Sequence, residues 1–531
     1  GVAGLNWKVN VGVGPHTIRA TFTEDDSYLS SEGTAPLIIT GPAATELVAE
    51  PASGRIGNSV PLAATLTASG APVSGQLLEF SVDGVKVGTA TTDAAGRASY
   101  TYLIASGPAG SRPVRVAFAG NDSYAPSSGY STLDVLKKLS SVTVDPATGV
   151  VGGRVTLRAT VRDQVTGDKL AGQTVTFSLD GQVVGSAVTS GPATVAELTY
   201  TIPEGTLARE FALSASYAGN NLYEASSGTN TLTVQKAALS IWVGSRTVIE
   251  GDKVWYRASL KNLTSLATVR GKQINFYLND VLVGSALTIK ADGAAELATR
   301  LPEYTPAGNY TIRAEFVGDG SYLAVSGTAP LVAQKARTKS LISARTGEPG
   351  QVVDFRSSIT NDVSKERLLG LTMSFAFNGL TLGSAVTAGV EFMASLQTII
   401  PENTAAGSYV LRTDFAGNAS YLPSFAESTL TVTKAKVEIW VGARSGKAGQ
   451  TIQFRGSLRN LRSRTNLVGK TLRFKVGSTL LGSAVTAADG IASLNAAIPA
   501  LAPGTYTLTV EFDGDAAYLS GSGSATLTVT P

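Results

Sequence analysis

Carboxylates recur beside a tyrosine at one spacing along this chain, and an acidic turn of that kind is its first candidate for chemistry. The stretch FVGDGSY (316–322) has counterparts in FTEDDSY (22–28), FAGNDSY (118–124), YAGNNLY (217–223), FAGNASY (415–421) and FDGDAAY (512–518). A hard cation such as calcium would need several oxygens, carboxylates among them, in fixed places. The turn reads EDD, GND, GNN, GDG, GNA and GDA across the copies, so its acidic count runs from three to none. An Asn or Asp that bonds its own turn backbone accounts for this pattern without a metal. The expectation is therefore no metal and no cofactor. Tyr28, Tyr124, Tyr223, Tyr322, Tyr421 and Tyr518 become structural anchors, each closing a turn.

Other reactive types are scarce. The only histidine is His16, which aligns with Tyr310, Tyr409 and Tyr506 just before a strand, and a histidine base needs an oriented partner and a nucleophile. A local turn contact is its expected role. With no cysteine there are no disulfides, thiolate metal sites or cysteine nucleophiles. No GxSxG elbow, P-loop or HExxH motif occurs, and the chain is expected not to be an enzyme. A net charge of +3 is no footprint for nucleic acid. No apolar run approaches the roughly 18 residues that a membrane helix requires.

Surface contact chemistry is better represented. In the stretch 239–262, Ile241 and Val243 alternate with Trp242, and Trp255 and Arg257 share the outward set of the next strand. Pairing of these strands would put Trp242, Trp255 and Arg257 on one exposed face. Trp440 and Arg455 repeat part of that arrangement. Such a face suits contact with another protein or stacking on a sugar. Residues 439–488 hold nine basic side chains and no acid, with Arg459, Arg462 and Arg464 together in the loop RNLRSR. These arginines are candidates for an electrostatic contact with a partner subunit or an anionic cell-wall polymer.

The elements that carry these residues follow from the spacing of the six tyrosines, which is 96, 99, 99, 99 and 97 residues. A period near one hundred residues is too long for a solenoid unit and fits a β-sandwich. Apolar residues alternate with period two throughout, as in Val254, Tyr256, Ala258 and Leu260 or Ile274, Phe276 and Leu278. Asp83-Gly84, Asp180-Gly181, Asn279-Asp280 and Asn378-Gly379 mark two-residue hairpin turns. About seven short strands per period describe an immunoglobulin-like sandwich. Lys137, Lys236, Lys335 and Lys434 each follow their tyrosine by thirteen residues, and the next strand starts at once. No flexible linker intervenes. The fold class is all-β, a tandem array of Ig-like β-sandwich domains forming an extended rod. Its domains run 42–137, 138–236, 237–335, 336–434 and 435–531, after the C-terminal half of a domain at 1–41.

The succession of an alternating strand, FxGDxxY, a polar loop and TLTVxKA resembles the bacterial Ig-like repeats of cell-surface proteins. That resemblance covers the chain end to end. It implies an extracellular location and a spacer, adhesive or assembly role. The expected function is a non-catalytic structural stalk of the bacterial surface that assembles into or supports a filament or surface layer. The alternatives are an adhesin binding glycan or host protein, and a spacer within a larger secreted enzyme. Expected partners are further copies of the chain or another surface protein. Segment 1–41 is expected to form three strands, its missing half lying upstream or supplied by another chain. Formal charge runs from −2 over 1–41 to +5 over 435–531, which would steer unlike ends together.

Overall fold

The computed structural model describes residues 1–531 and consists of strands, turns and loops without helices. By contact it falls into two compact units. One comprises Gly1–Ala238 with 263–265 and 319–323, and the other holds the remainder.

Counting segment 1–41 as repeat 1, repeat 5 (336–434) in the second unit shows how the sequence builds a sandwich. One sheet pairs Thr338–Ile342, Val352–Asn361 and Met393–Ile399. The facing sheet runs Arg345–Gly347, Ser424–Val432, Gly407–Phe415, Thr372–Phe377 and Leu380–Val386. All pairs are antiparallel except Arg345–Gly347, which runs parallel to Ser424–Val432. The first strand of the repeat thus changes sheets at Ser343-Ala344, a split that its apolar alternation does not reveal. Val353, Phe355, Ile359, Met373, Phe375, Leu411 and Leu430 meet between the sheets and are buried. Repeat 6 follows the same strand order, and repeat 4 adds the short strand Thr268–Val269 beside Lys253–Asn262.

The hairpins of repeats 2, 3 and 5 form where Asn or Asp precedes Gly. Asn378 and Gly379 have φ of 44° and 83°, the left-handed pair that a type I′ turn requires. The recurring GSA triplet also has a cause. Gly284 has φ of +146°, and a Cβ there would lie 2.9 Å from Leu297, beside the bulge at Phe276/Tyr277.

In the first unit, repeats 2 and 3 form the same two-sheet sandwiches, repeat 2 around Leu62, Leu78, Phe80, Val116 and Leu133. Segment 1–41 differs from expectation. It forms two strands, Gly14–Phe22 and Ser31–Ile39, and residues 1–13 form none. Its VAGLNWK stretch (2–8) matches Ile491–Ala497, whose partner in repeat 6 is Thr451–Asn460. Nothing in 1–41 supplies that partner, so the third strand has no ladder to join.

Candidate functional site: the clasp between repeats

The turn that closes each repeat is set by its Asn or Asp side chain. Asn418 Oδ1 accepts the amides of Ser420 and Tyr421 at 2.9 and 2.8 Å, and Asp515 Oδ1 those of Ala517 and Tyr518 at 2.8 and 2.9 Å. Asp25, Asn121, Asn220 and Asp319 do the same. The side-chain oxygen that a cation would use is thus spent on backbone. The turn aims its tyrosine at the boundary with the preceding repeat.

Three side chains meet there. After Met393–Ile399, buried Ile400 and Pro401 lead to Glu402 in repeat 5. Tyr518 of repeat 6 donates its hydroxyl to Glu402 Oε2 at 2.5 Å, and Asn403 N–H donates to that hydroxyl at 3.2 Å. Asn460 ends the strand Thr451–Asn460, and its amide donates to Glu402 Oε2 at 3.1 Å and to Pro349 O at 2.7 Å. Ser463 Oγ donates to Glu402 Oε1 at 2.6 Å. A backbone bond, Ala406 N to Ala516 O at 2.7 Å, runs alongside. Burial works against the Glu402 charge, but the bonds from Ser463, Tyr518 and Asn460 outweigh it and hold its pKa below the ordinary value. The same burial and the carboxylate raise the Tyr518 hydroxyl. One carboxylate of repeat 5 thus gathers three donors of repeat 6, each a charge-assisted bond.

Between repeats 4 and 5 the pattern recurs with an extra acid. Tyr421 Oη lies 2.8 Å from both Glu303 Oε2 and Glu250 Oε1. Asn361 donates to Glu303 at 3.1 Å and to Glu250 Oε2 at 2.6 Å. Tyr304 meets Tyr421 edge-on at 5.8 Å between centroids. Within the first unit, Tyr322 donates to Glu204 Oε2 at 2.6 Å and accepts Gly205 N–H at 3.0 Å.

Repeat 3 solves the same problem internally. Repeat 2 has Ser106 where repeats 3, 4 and 5 have the glutamate, and repeat 3 has Asp163 where Asn361 and Asn460 stand. Tyr223 accordingly donates to Asp163 at 3.1 Å, with Lys138 Nζ 3.2 Å from the same carboxylate. The bonds to Val165, Thr166, Lys138 and Tyr223 outweigh burial and lower the Asp163 pKa. Burial and Asp163 push the Tyr223 hydroxyl up to about 12. Here the link to repeat 2 is Arg55, which bonds Glu224 Oε1 and Lys137 O, both at 2.6 Å.

The tyrosines therefore do more than anchor their own corners. Tyr322, Tyr421 and Tyr518 are fully buried, Tyr124 is half-buried, and Tyr28 is 71% exposed. The glutamates escaped the reading of the sequence, although PE recurs at 203–204, 302–303 and 401–402.

The other candidates lie elsewhere. Trp242 and Trp255 point outward at 56% and 52% exposure, on the neighbouring strands Leu239–Val243 and Lys253–Asn262, and Trp440 does so at 64%. Arg257 pairs with Asp292 and with Glu296, while Arg455 is exposed and makes no ion pair. Arg459 and Arg464 share Glu438, at 2.6 and 2.5 Å, and Arg462 reaches Glu348 at 3.2 Å. His16 bonds Gly12 O, a local contact.

Residues 47–135 and 441–530 match the bacterial Ig-like domain (group 3) family. No curated protein matches the chain. Among solved structures, Sidekick-1 immunoglobulin domains 1–5 align at 14% identity over 92% of this chain and 100% of that one, with a TM-score of 0.25. The ICAM-5 D1–D4 ectodomain fragment aligns at 15% over 74% and 100%, TM-score 0.30, and the titin I-band fragment I67–I69 at 13% over 55% and 98%, TM-score 0.26. The chain is thus a tandem array of Ig-like β-sandwiches, of which repeats 2 and 6 match the bacterial Ig-like domain family.

Proposed function

We propose that the chain is a non-catalytic structural segment of a bacterial cell-surface protein, a stiff repeat stalk that supports or assembles into an extracellular filament or surface layer. Its repeats divide after residues 41, 137, 236, 335 and 434. The observation that carries this reading is the clasp itself, a buried tyrosine bonded to a glutamate of the preceding repeat at 2.5–2.8 Å between repeats 4 and 5 and between 5 and 6. A binding module on a flexible tether has no use for such bonds, whereas a load-bearing array does.

Lateral contact falls to the outward aromatic faces. Trp242 and Trp440 occupy equivalent places in repeats 4 and 6, and exposed Leu341 does so in repeat 5. A second copy of the chain would present the same period. The exposed arginines of the RNLRSR loop already face acids, so long-range steering comes from the net +5 of repeat 6.

Electron microscopy of native material tests the reading. Ordered polymers are expected, and the Trp242→Ala, Trp440→Ala double variant should lose lateral order while remaining folded, because both side chains are surface-exposed. Raising salt should slow assembly, since fields screen over about 8 Å at physiological ionic strength. Isolated particles together with glycan binding that the same double variant abolishes would move the function to adhesion.

A further inference from the structure

Glu250 is peculiar to repeat 4. It stands where repeats 2, 3, 5 and 6 have Ile56, Val151, Pro349 and Ala448, so a carboxyl occupies a place that otherwise takes apolar residues. It is 0% exposed and adds a second acid to a clasp that elsewhere needs one.

Counting protons shows what the pair must do. Tyr421 Oη makes two oxygen contacts at 2.8 Å, to Glu250 Oε1 and Glu303 Oε2, and the Tyr304 N–H is shared between Glu250 Oε1 at 2.6 Å and Tyr421 Oη at 3.1 Å, a bond that a protonated Oε1 still accepts. Two such oxygen–oxygen hydrogen bonds need two protons, and a phenol has one. The other must reside on a carboxyl. The Asn361 amide cannot supply it, because its Oδ1 is fixed by Val363 N–H at 2.8 Å and its Nδ2 already donates to Glu250 Oε2. The relay that satisfies every atom runs from protonated Glu250 to Tyr421 to ionised Glu303. At the next joint Tyr518 meets Glu402 alone, and its own proton suffices.

We propose that Glu250 and Glu303 share one proton through Tyr421, and that losing it as pH rises through neutrality loosens the seating of repeat 5 on repeat 4. The titratable groups facing Glu250 are Glu303, Tyr304 and Tyr421, and no cation neutralises it. Arg300 reaches Gly251 O, and Lys365 pairs with Asp362. Asp252 on its own turn is exposed. Burial pushes Glu250 up to about 7, with Glu303 adding to the rise. Glu303 stays below its ordinary value, because Ser364, Asn361 and Tyr421 outweigh burial. A carboxyl raised on folding contributes stability that is complete below its unfolded pKa and gone above its folded one. For Glu250 that window runs from about 4.5 to about 7. Glu402, being lowered, behaves oppositely and weakens its joint only as pH falls through the carboxylate range. Adjacent joints thus answer pH with opposite sign.

Amide exchange on the full chain, corrected for intrinsic rates, tests this at the Ala307 amide, which bonds Ala419 O across the joint. Protection should fall about tenfold between pH 6 and 8, the linkage expected for these two pKa values. The Asn403 and Ala406 amides of the next joint should stay level. Glu250→Val, the residue repeat 3 has here, should abolish the slope. Glu303→Gln should move it to lower pH and serves if the first variant is open at every pH. A level wild-type profile, a slope that survives Glu250→Val, or a slope that Glu303→Gln leaves in place would each overturn the proposal.

Discussion

Tyr421→Phe should destabilise repeat 5 by about 2–4 kcal/mol, although it deletes a single oxygen. The phenol ring is fully buried and would keep its packing, so no cavity of consequence forms. What is lost is the hydroxyl bridging Glu250 and Glu303, and the two buried carboxyls would be left with the Asn361 amide as their shared donor. Removing one partner of a buried charged network costs more than the bond itself was worth, because the orphaned group keeps its desolvation penalty. Tyr409→Phe is the control. Its hydroxyl donates to the Ala405 carbonyl at 2.7 Å, a neutral and half-buried bond, and its loss should cost about 1 kcal/mol. Urea unfolding of the full chain followed by pulse proteolysis, with fragments assigned to repeats, separates the two. Similar losses would mean that the clasp adds nothing beyond an ordinary hydrogen bond.

Phe474→Ala should cost repeat 6 about 3–5 kcal/mol, for a different reason. Phe474 is fully buried among Phe454, Leu472, Leu508 and Val510. Truncation removes its transfer free energy and leaves a hole that close-packed sheets cannot fill. The two variants should also differ in reach. In an array stabilised by intrinsic terms and nearest-neighbour terms, a core deletion lowers the first and a clasp deletion the second. Phe474→Ala should melt repeat 6 early and leave the repeat 5 transition close to its place. Tyr421→Phe should uncouple repeats 4 and 5, so that their transitions separate.

Much of the fold was legible because it is local. Asn378-Gly379 specifies a two-residue turn wherever it occurs, and Ile274, Phe276 and Leu278 declare their inward face by alternation alone. The six tyrosines gave the period, and their Asn or Asp partners behave as turn chemistry requires. The clasp was not legible from one motif, because its parts belong to two repeats. Glu303 sits 118 residues from Tyr421 and Glu402 116 from Tyr518. Only the joint recurrence of the PE pair, the asparagine at 361 and 460, and the tyrosine would have exposed it. The exceptions carry the same lesson, since Ser106 in repeat 2 is matched by Asp163 in repeat 3, a carboxylate moved from one side of the boundary to the other. The expected third strand of segment 1–41 failed for a related reason. Alternation marks a strand's faces but cannot provide its hydrogen-bonding neighbour.

One carboxylate and one phenol couple consecutive repeats, and a double-mutant cycle on Tyr518 and Glu402 measures that coupling. Tyr518→Phe, Glu402→Ala and the double variant would be compared by the urea midpoint of repeat 6 in the full chain. A coupling of about 1.5–3 kcal/mol is predicted, the range of a hydrogen bond to a charged group. Losses that add to within about 0.5 kcal/mol would show the two residues acting independently and would contradict the account.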